Sequence, residues 1–232
     1  MNTSVPPLHP DPEDSQPIVG VSGLLEALLR RPRQLWQQLG HARSPGLMLG
    51  LLTLTLVATL LYGVVVGSFS GGTQWWAAPL KVTVGLLACG LLCLPSLYVF
   101  ACLSGARVGL LDAVGLVVGL LALFSVLLMS FAPVAWIFSE STQSVAAMGA
   151  LHLLFCLTAI AFGVRFLHQG LVHRGAPSSA ALAVWSVLFV LVMLQMMTAL
   201  RPLVGTADTL LPVEKRFFLQ HWVKTLNPDS GN

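Results

Sequence analysis

Two pairs of residues in this sequence have the types and the spacing that suit metal coordination. Cys89 and Cys93 are four positions apart, and so are His152 and Cys156. Residues four apart on an α-helix project from the same face, so two such faces could enclose a tetrahedral metal ion. The competing interpretation is packing, because cysteine is a common small apolar side chain and a histidine in an apolar helix usually hydrogen-bonds a neighbour. We favour packing, and therefore expect no bound metal or other cofactor.

Three further polar side chains, Asp112, His152 and Gln195, lie within otherwise apolar stretches. A carboxylate at the centre of a bilayer costs on the order of 2.5–3.5 kcal/mol, and less near the surface. These residues could form an intramembrane polar site of a transporter or channel. The alternative for Asp112 is a shallow carboxylate that is solvated by headgroups or paired with an arginine, of which Arg107 is close in sequence. The motifs of serine hydrolases, nucleotide-binding loops and zinc proteases are absent, so an enzyme is not expected.

Long apolar stretches must position these residues. The chain has 232 residues, 56% of them hydrophobic and 9% charged, whereas a soluble domain carries about a quarter charged residues. An α-helix needs roughly 20 apolar residues to cross ~30 Å of hydrocarbon. Stretches of this length cover residues 47–68, 78–103, 108–131, 144–167 and 179–200. The sequence therefore predicts an all-α, polytopic membrane bundle of five transmembrane helices over residues 46–200.

A basic amphipathic segment, residues 21–45, precedes the first stretch. Leucines recur at helical spacing, and Pro32 divides the segment into two short helices. Arg30, Arg31 and Arg33 surround that break, and Trp36 follows it. Such a segment typically lies in the headgroup layer, so we expect these three arginines and Trp36 to contact lipid headgroups. The alternative is an ordinary solvated linker.

The two ends of the chain differ from this pattern. Residues 1–20 are rich in proline and acidic residues and lack the basic start and apolar core of a signal peptide, so we expect a disordered cytoplasmic tail and an uncleaved first span. In residues 201–232, Phe218, Trp222 and Leu226 share one helical face. This spacing predicts a second interfacial amphipathic helix, with a plain soluble helix as the alternative.

The distribution of arginines gives the orientation. Arginines flank the first stretch on its N-terminal side, and Arg107 and Arg174 lie in the second-to-third and fourth-to-fifth connections. Cytoplasmic connections carry an excess of Lys and Arg. We therefore expect an inner-membrane protein with a cytoplasmic N-terminus and an extracytoplasmic C-terminus. The net charge of +3 is explained by this topology and does not indicate nucleic-acid binding.

The stretch Leu-Leu-Arg-Arg-Pro-Arg-Gln-Leu-Trp at residues 28–36, followed by five closely connected spans, resembles bacterial members of the Yip family. The likeness covers residues 24–200. It implies a five-span fold and a role in shaping or trafficking membranes through lipid or protein contacts. The Asp-Leu-x-Gly-Pro signature of eukaryotic members is missing, so binding of Rab GTPases is not implied. Residues 132–142 and 200–205 resemble parts of uncharacterised bacterial membrane proteins.

These observations favour a non-catalytic membrane-organising, scaffold or accessory protein. Its expected partners are the lipid bilayer and a membrane protein or a second copy of the chain. Two alternatives stay open. One is a small transporter or channel component that uses Asp112, His152 and Gln195, and the other is an intramembrane metal or redox site at Cys89, Cys93, His152 and Cys156.

Overall fold

The computed structural model of the chain describes residues 18–39, 45–70, 74–142, 144–176 and 180–199. These residues form seven α-helices and no strand, which confirms the predicted all-helical class. In chain order the helices are α1 (Gly20–Leu29), α2 (Pro32–Leu39), α3 (Pro45–Ser70), α4 (Gln74–Leu103), α5 (Leu110–Ser141), α6 (Val145–His173) and α7 (Ala180–Ala199). The predicted C-terminal amphipathic helix and most of the predicted N-terminal tail lie outside the described residues.

Helices α3 to α7 are each long and apolar enough to cross a membrane, so the five predicted spans are confirmed within the described part of the chain. The third is longer than predicted, because α5 continues through Pro133 to Ser141. Residues 132–141 were expected in a connection between spans. These residues are helical instead, because a backbone in apolar surroundings must satisfy its polar groups internally. A single proline removes only one hydrogen-bond donor.

Helix α5 forms the centre of the bundle. Of its most apolar segment, 72% is buried by the other helices, compared with 22% for α7. Helices α3, α4 and α6 all contact α5, and α7 packs mainly against α4. Successive spans alternate in direction, so the start of α3, the start of α5 and the end of α6 lie together. We call this the α1–α2 end of the bundle, because α2 also contacts α5 and α6 there.

Glycines allow the closest approaches between helices. At the crossing of α3 and α4, a Cβ atom added to Gly63 would lie 2.3 Å from the Cα atom of Pro79. No side chain fits there, so the two backbones touch. At the crossing of α5 and α6, the ring of Phe166 occupies the space above Gly119. Close backbone approach at small residues is a main source of association energy for helices in lipid.

The N-terminal segment forms two helices that meet at Arg30–Arg31, next to the junction predicted near Arg31–Pro32, and Pro32 is the first residue of α2. The prediction for Trp36 is wrong. Its side chain is only 4% exposed and packs between helices rather than among headgroups. The Trp36 ring lies 5.5 Å from the Phe166 ring and covers Gly170, whose missing side chain leaves a recess for the indole.

Candidate functional site

The polar side chains of the bundle gather in two clusters at opposite ends. The first, the arginine cluster, consists of Trp36, Asp112 and Arg174. The second, the histidine cluster, consists of Tyr62, Lys81, His152 and Cys156. Arg174 directly follows α6 and His152 lies near its start, so a rise of ~1.5 Å per residue separates them by about 33 Å.

The end of α6 places Arg174. Gly175 has a φ of 82°, the left-handed conformation that glycine adopts without steric penalty. The backbone N–H of Gly175 donates to the carbonyl of Val172, and that of Ala176 donates to the carbonyl of Leu171. These two bonds form a Schellman motif, which stops the helix and turns the chain. Arg174 therefore sits at the final turn, with its side chain directed at the middle of α2 and the start of α5.

Asp112 lies in the first turn of α5 and anchors the arginine cluster. One carboxylate oxygen accepts a hydrogen bond from the backbone N–H of Gly109 at 2.9 Å, and the other pairs with Arg174 at 2.5 Å. Arg174 also donates to the carbonyl of Trp36 at 3.0 Å. The partner is thus Arg174 rather than Arg107, whose backbone N–H donates to the Arg174 carbonyl. This arrangement favours the paired-carboxylate interpretation of Asp112.

The arginine cluster joins three separate parts of the chain. The side chains of Arg174 and Asp112 are 13% and 19% exposed, so the pair is mostly shielded from solvent. The indole Nε1 of Trp36 and the Nε of Arg174 are buried and have no hydrogen-bond partner among the described residues. The cluster is built to hold α2 against α5 and α6, which is a structural role.

The histidine cluster is centred on His152, which is 5% exposed. The Tyr62 hydroxyl lies 2.8 Å from Nδ1 of His152, and the two rings are also stacked. The donor in this hydrogen bond depends on the histidine tautomer. On the other side of the ring, Nε2 lies 3.8 Å from the Cys156 sulfur, one helical turn away on α6. Tyr62 therefore orients the imidazole, and the other ring nitrogen faces Cys156.

Lys81 and a small cavity complete the histidine cluster. Lys81 is 6% exposed and lines this cavity. The cavity has a volume of about 40 Å³, and three methionines of α7, Met193, Met196 and Met197, line it together with Lys81, His152 and Cys156. A cavity needs roughly 10–15 Å³ to hold one water molecule, so this one has room for a small ligand.

Threonines connect the two helices beside this cluster. Thr83 of α4 donates to the Thr59 hydroxyl of α3 at 3.0 Å, and Thr59 donates to the carbonyl of Thr55. Sequence reasoning had not identified Tyr62 or these threonines. A signal was present, since Thr55, Thr59 and Tyr62 recur at positions i, i+4 and i+7 and so share one helical face.

The structure separates the two residue pairs that were considered for a metal site. His152 and Cys156 lie together, whereas the Cys89 and Cys93 thiols contact each other on α4. In the described parts of the chain, no group of three or more His, Cys, Asp and Glu side chains could hold a metal ion, so the four-residue set considered as an alternative does not form. The i, i+4 spacing predicts the shared helical faces, but α4 packs against α7, where the indole N–H of Trp185 donates to the backbone carbonyl of Cys93.

The hypothesis of one polar path through Asp112, His152 and Gln195 also needs correction. Asp112 belongs to the arginine cluster and His152 to the histidine cluster at the other end. Gln195 is half-buried on α7 and does not line the cavity. Lys81 lines the cavity together with His152 instead.

The fold and these clusters define a multi-pass helical membrane protein with a polar cluster towards each end of the bundle. No protein-family model matches the chain, and neither does any curated protein or solved structure.

Proposed function

We propose that this protein is a non-catalytic membrane-organising or accessory protein, which works through contacts with lipids and other membrane proteins. The proposal includes an inner-membrane location with the N-terminus in the cytoplasm and a functional likeness to the Yip family. The observation that carries it is the N-terminal helix pair. Helices α1 and α2 lie against the bundle as a defined unit instead of trailing from it.

The helix pair presents basic side chains beside the spans. Arg30 and Arg33 are exposed, and Arg31 is partly exposed and lies 3.5 Å from Glu26. Basic residues near an anionic membrane surface contribute about 1 kcal/mol each to lipid attraction. The exposed arginines therefore supply charge complementarity to anionic phospholipid headgroups.

An apolar groove lies between α1 and the first span, α3. It has a volume of about 510 Å³ and is lined by the N-terminal half of α1 and by the face of α3 from Gly46 to Val57. That part of α3 is about 16 Å long at 1.5 Å per residue, close to half of a ~30 Å hydrocarbon core. The groove thus has the length of one leaflet. Its proposed occupant is an acyl chain of an anionic phospholipid.

Lipid retention during purification tests this function. Protein extracted in mild detergent should keep anionic phospholipid, detected by native mass spectrometry. We expect the double variant Arg30→Gln/Arg33→Gln to lose most of it, because the headgroup contacts are removed. Arg165→Gln is the matched control, since it removes an exposed positive charge from α6. Retained lipid that has the bulk composition, or that is unaffected by the double variant, would contradict the proposal.

A second candidate function is a small transporter or channel component. Its support is the burial of Lys81 and His152 within the spans, because ionisable residues at such positions usually line ion or substrate paths. Asp112 no longer contributes to this hypothesis, since it is paired with Arg174. Substrate flux in proteoliposomes that is unchanged by Lys81→Met would rule it out.

A further inference from the structure

The cavity beside the histidine cluster is lined by four side chains that carry sulfur and by one imidazole. His152 and Cys156 of α6 contribute an imidazole and a thiol, and the methionines of α7 contribute thioethers. Met193, Met196 and Met197 follow the spacing i, i+3, i+4, so they share one helical face. Packing alone does not require that the methionines of one helix meet the histidine and cysteine of another.

The separation of the two α6 ligands suits a shared metal ion. The Nε2 atom of His152 lies 3.8 Å from the Cys156 sulfur. With a metal–nitrogen distance of about 2.0 Å, a metal–sulfur distance of about 2.3 Å and an angle near 120°, the two ligand atoms would be about 3.7 Å apart. The pair therefore needs almost no rearrangement to coordinate one ion.

Tyr62 orients the imidazole for this role. Its hydroxyl lies 2.8 Å from Nδ1 of His152, which leaves Nε2 facing Cys156. Histidines that bind metals commonly donate their other ring N–H to a fixed acceptor, which sets the tautomer. In the metal-bound form, Nδ1–H of His152 would donate to the Tyr62 oxygen.

The type of metal follows from the ligands and from the local charge. Thiolate and thioether sulfur prefer soft ions such as copper(I), whereas carboxylates prefer hard ions. Lys81 also lines the cavity, and its positive charge opposes a divalent ion more strongly than a monovalent one. Binding would exchange the thiol proton of Cys156, released to solvent, for the metal, so that a copper(I) thiolate is neutral and no electron is transferred.

We propose that His152, Cys156 and the methionines of α7 form a binding site for copper(I). The site is independent of the proposed lipid contacts, because it lies at the opposite end of the bundle from the helix pair. It differs from the four-residue set considered from the sequence, since it replaces Cys89 and Cys93 by thioethers.

Anaerobic titration of the full-length protein in detergent tests this proposal, with copper(I) supplied in competition with a chromophoric chelator. One ion should bind per chain, and X-ray absorption should show sulfur and nitrogen ligands. Binding of less than about one tenth of an ion per chain would overturn the proposal. Zinc(II) that binds as tightly as copper(I) would overturn the assignment of a soft monovalent ion.

Variants locate the site. Cys156→Ser should weaken copper(I) binding by about 100-fold, and the double variant Met193→Leu/Met196→Leu by about tenfold. Cys89→Ser is the matched control, because Cys89 is equally buried but does not line the cavity. The leucine variant nearly conserves volume, so it decides the question if Cys156→Ser elutes as aggregate. Unchanged affinity in a well-folded cavity variant would contradict the site.

Discussion

The two ends of the bundle hold their polar side chains in different ways. In the arginine cluster, the opposite charges on Asp112 and Arg174 meet at the α1–α2 end of the bundle, and Arg174 also donates to a backbone carbonyl. In the histidine cluster, Tyr62 and His152 form a hydrogen bond at a buried position beside a cavity. The arginine cluster is held together by an ion pair, whereas the histidine cluster has a cavity beside His152 and Cys156.

The two clusters differ in whether they leave room for an external ligand. In the arginine cluster, the charged groups of Asp112 and Arg174 bind each other. The groups left for an external ligand are the buried N–H donors of Trp36 and Arg174. In the histidine cluster, the sulfur of Cys156 and Nε2 of His152 have only weak contact with each other. The arginine cluster is closed by its own contacts, whereas the histidine cluster adjoins a cavity that has room for a ligand.

The largest effect is expected from the contact that holds the histidine end together. Gly63→Ala would place a Cβ atom 2.3 Å from the Cα atom of Pro79, so α3 and α4 must separate. Overpacking of this kind should cost about 3 kcal/mol of unfolding free energy, measured by detergent-induced unfolding in mixed micelles.

Gly149→Ala is the matched control, because an added Cβ atom there meets nothing within 4 Å. It should leave stability unchanged or raise it slightly, since alanine is the better helix former by about 1 kcal/mol. If the two alanine variants unfold alike, α3 and α4 do not touch as described.

The next effect concerns the arginine cluster. Asp112→Asn should lower the unfolding free energy by about 2 kcal/mol, less than the ~3–5 kcal/mol for a fully buried pair, because both side chains keep some exposure. Glu140→Gln, which neutralises an exposed carboxylate of the same helix, should change it by no more than about 0.5 kcal/mol.

A double-mutant cycle sharpens this test. The losses of Asp112→Asn and Arg174→Gln should be clearly less than additive in the combined variant, because each single change leaves the other group without its partner. Additive losses would mean that the two residues act independently and that the arginine cluster is not a unit.

The sequence predicted those features that depend on local physics. Five apolar stretches follow from the length of helix that a bilayer requires, and the break before Pro32 follows from the chemistry of proline. The extension of α5 to Ser141 was missed, because a proline and a few polar residues look like a connection when their neighbours are unknown.

The sites could be predicted only in part. Spacing placed His152 and Cys156 on one face, but which helix meets that face depends on the packing of the whole bundle. Trp36 was assigned to the headgroup layer by its residue type, and Gly170, far away in sequence, provides the recess that buries it. From the sequence, Arg174 indicated only the orientation in the membrane. Its pairing with Asp112 depends on the folded arrangement of α5 and α6.

The smallest effect on stability should come from Tyr62→Phe, and it separates structure from function in the histidine cluster. Hydrogen bonds between helices in a membrane contribute on average ~0.6 kcal/mol, so unfolding should change by about that amount. Copper(I) affinity should nevertheless fall about tenfold, because His152 loses the group that orients its ring. Tyr98→Phe makes the same chemical change on α4 near the α1–α2 end and should alter neither quantity. A stability loss without any change in copper(I) affinity would make Tyr62 a packing residue alone, and the histidine end would then resemble the arginine end.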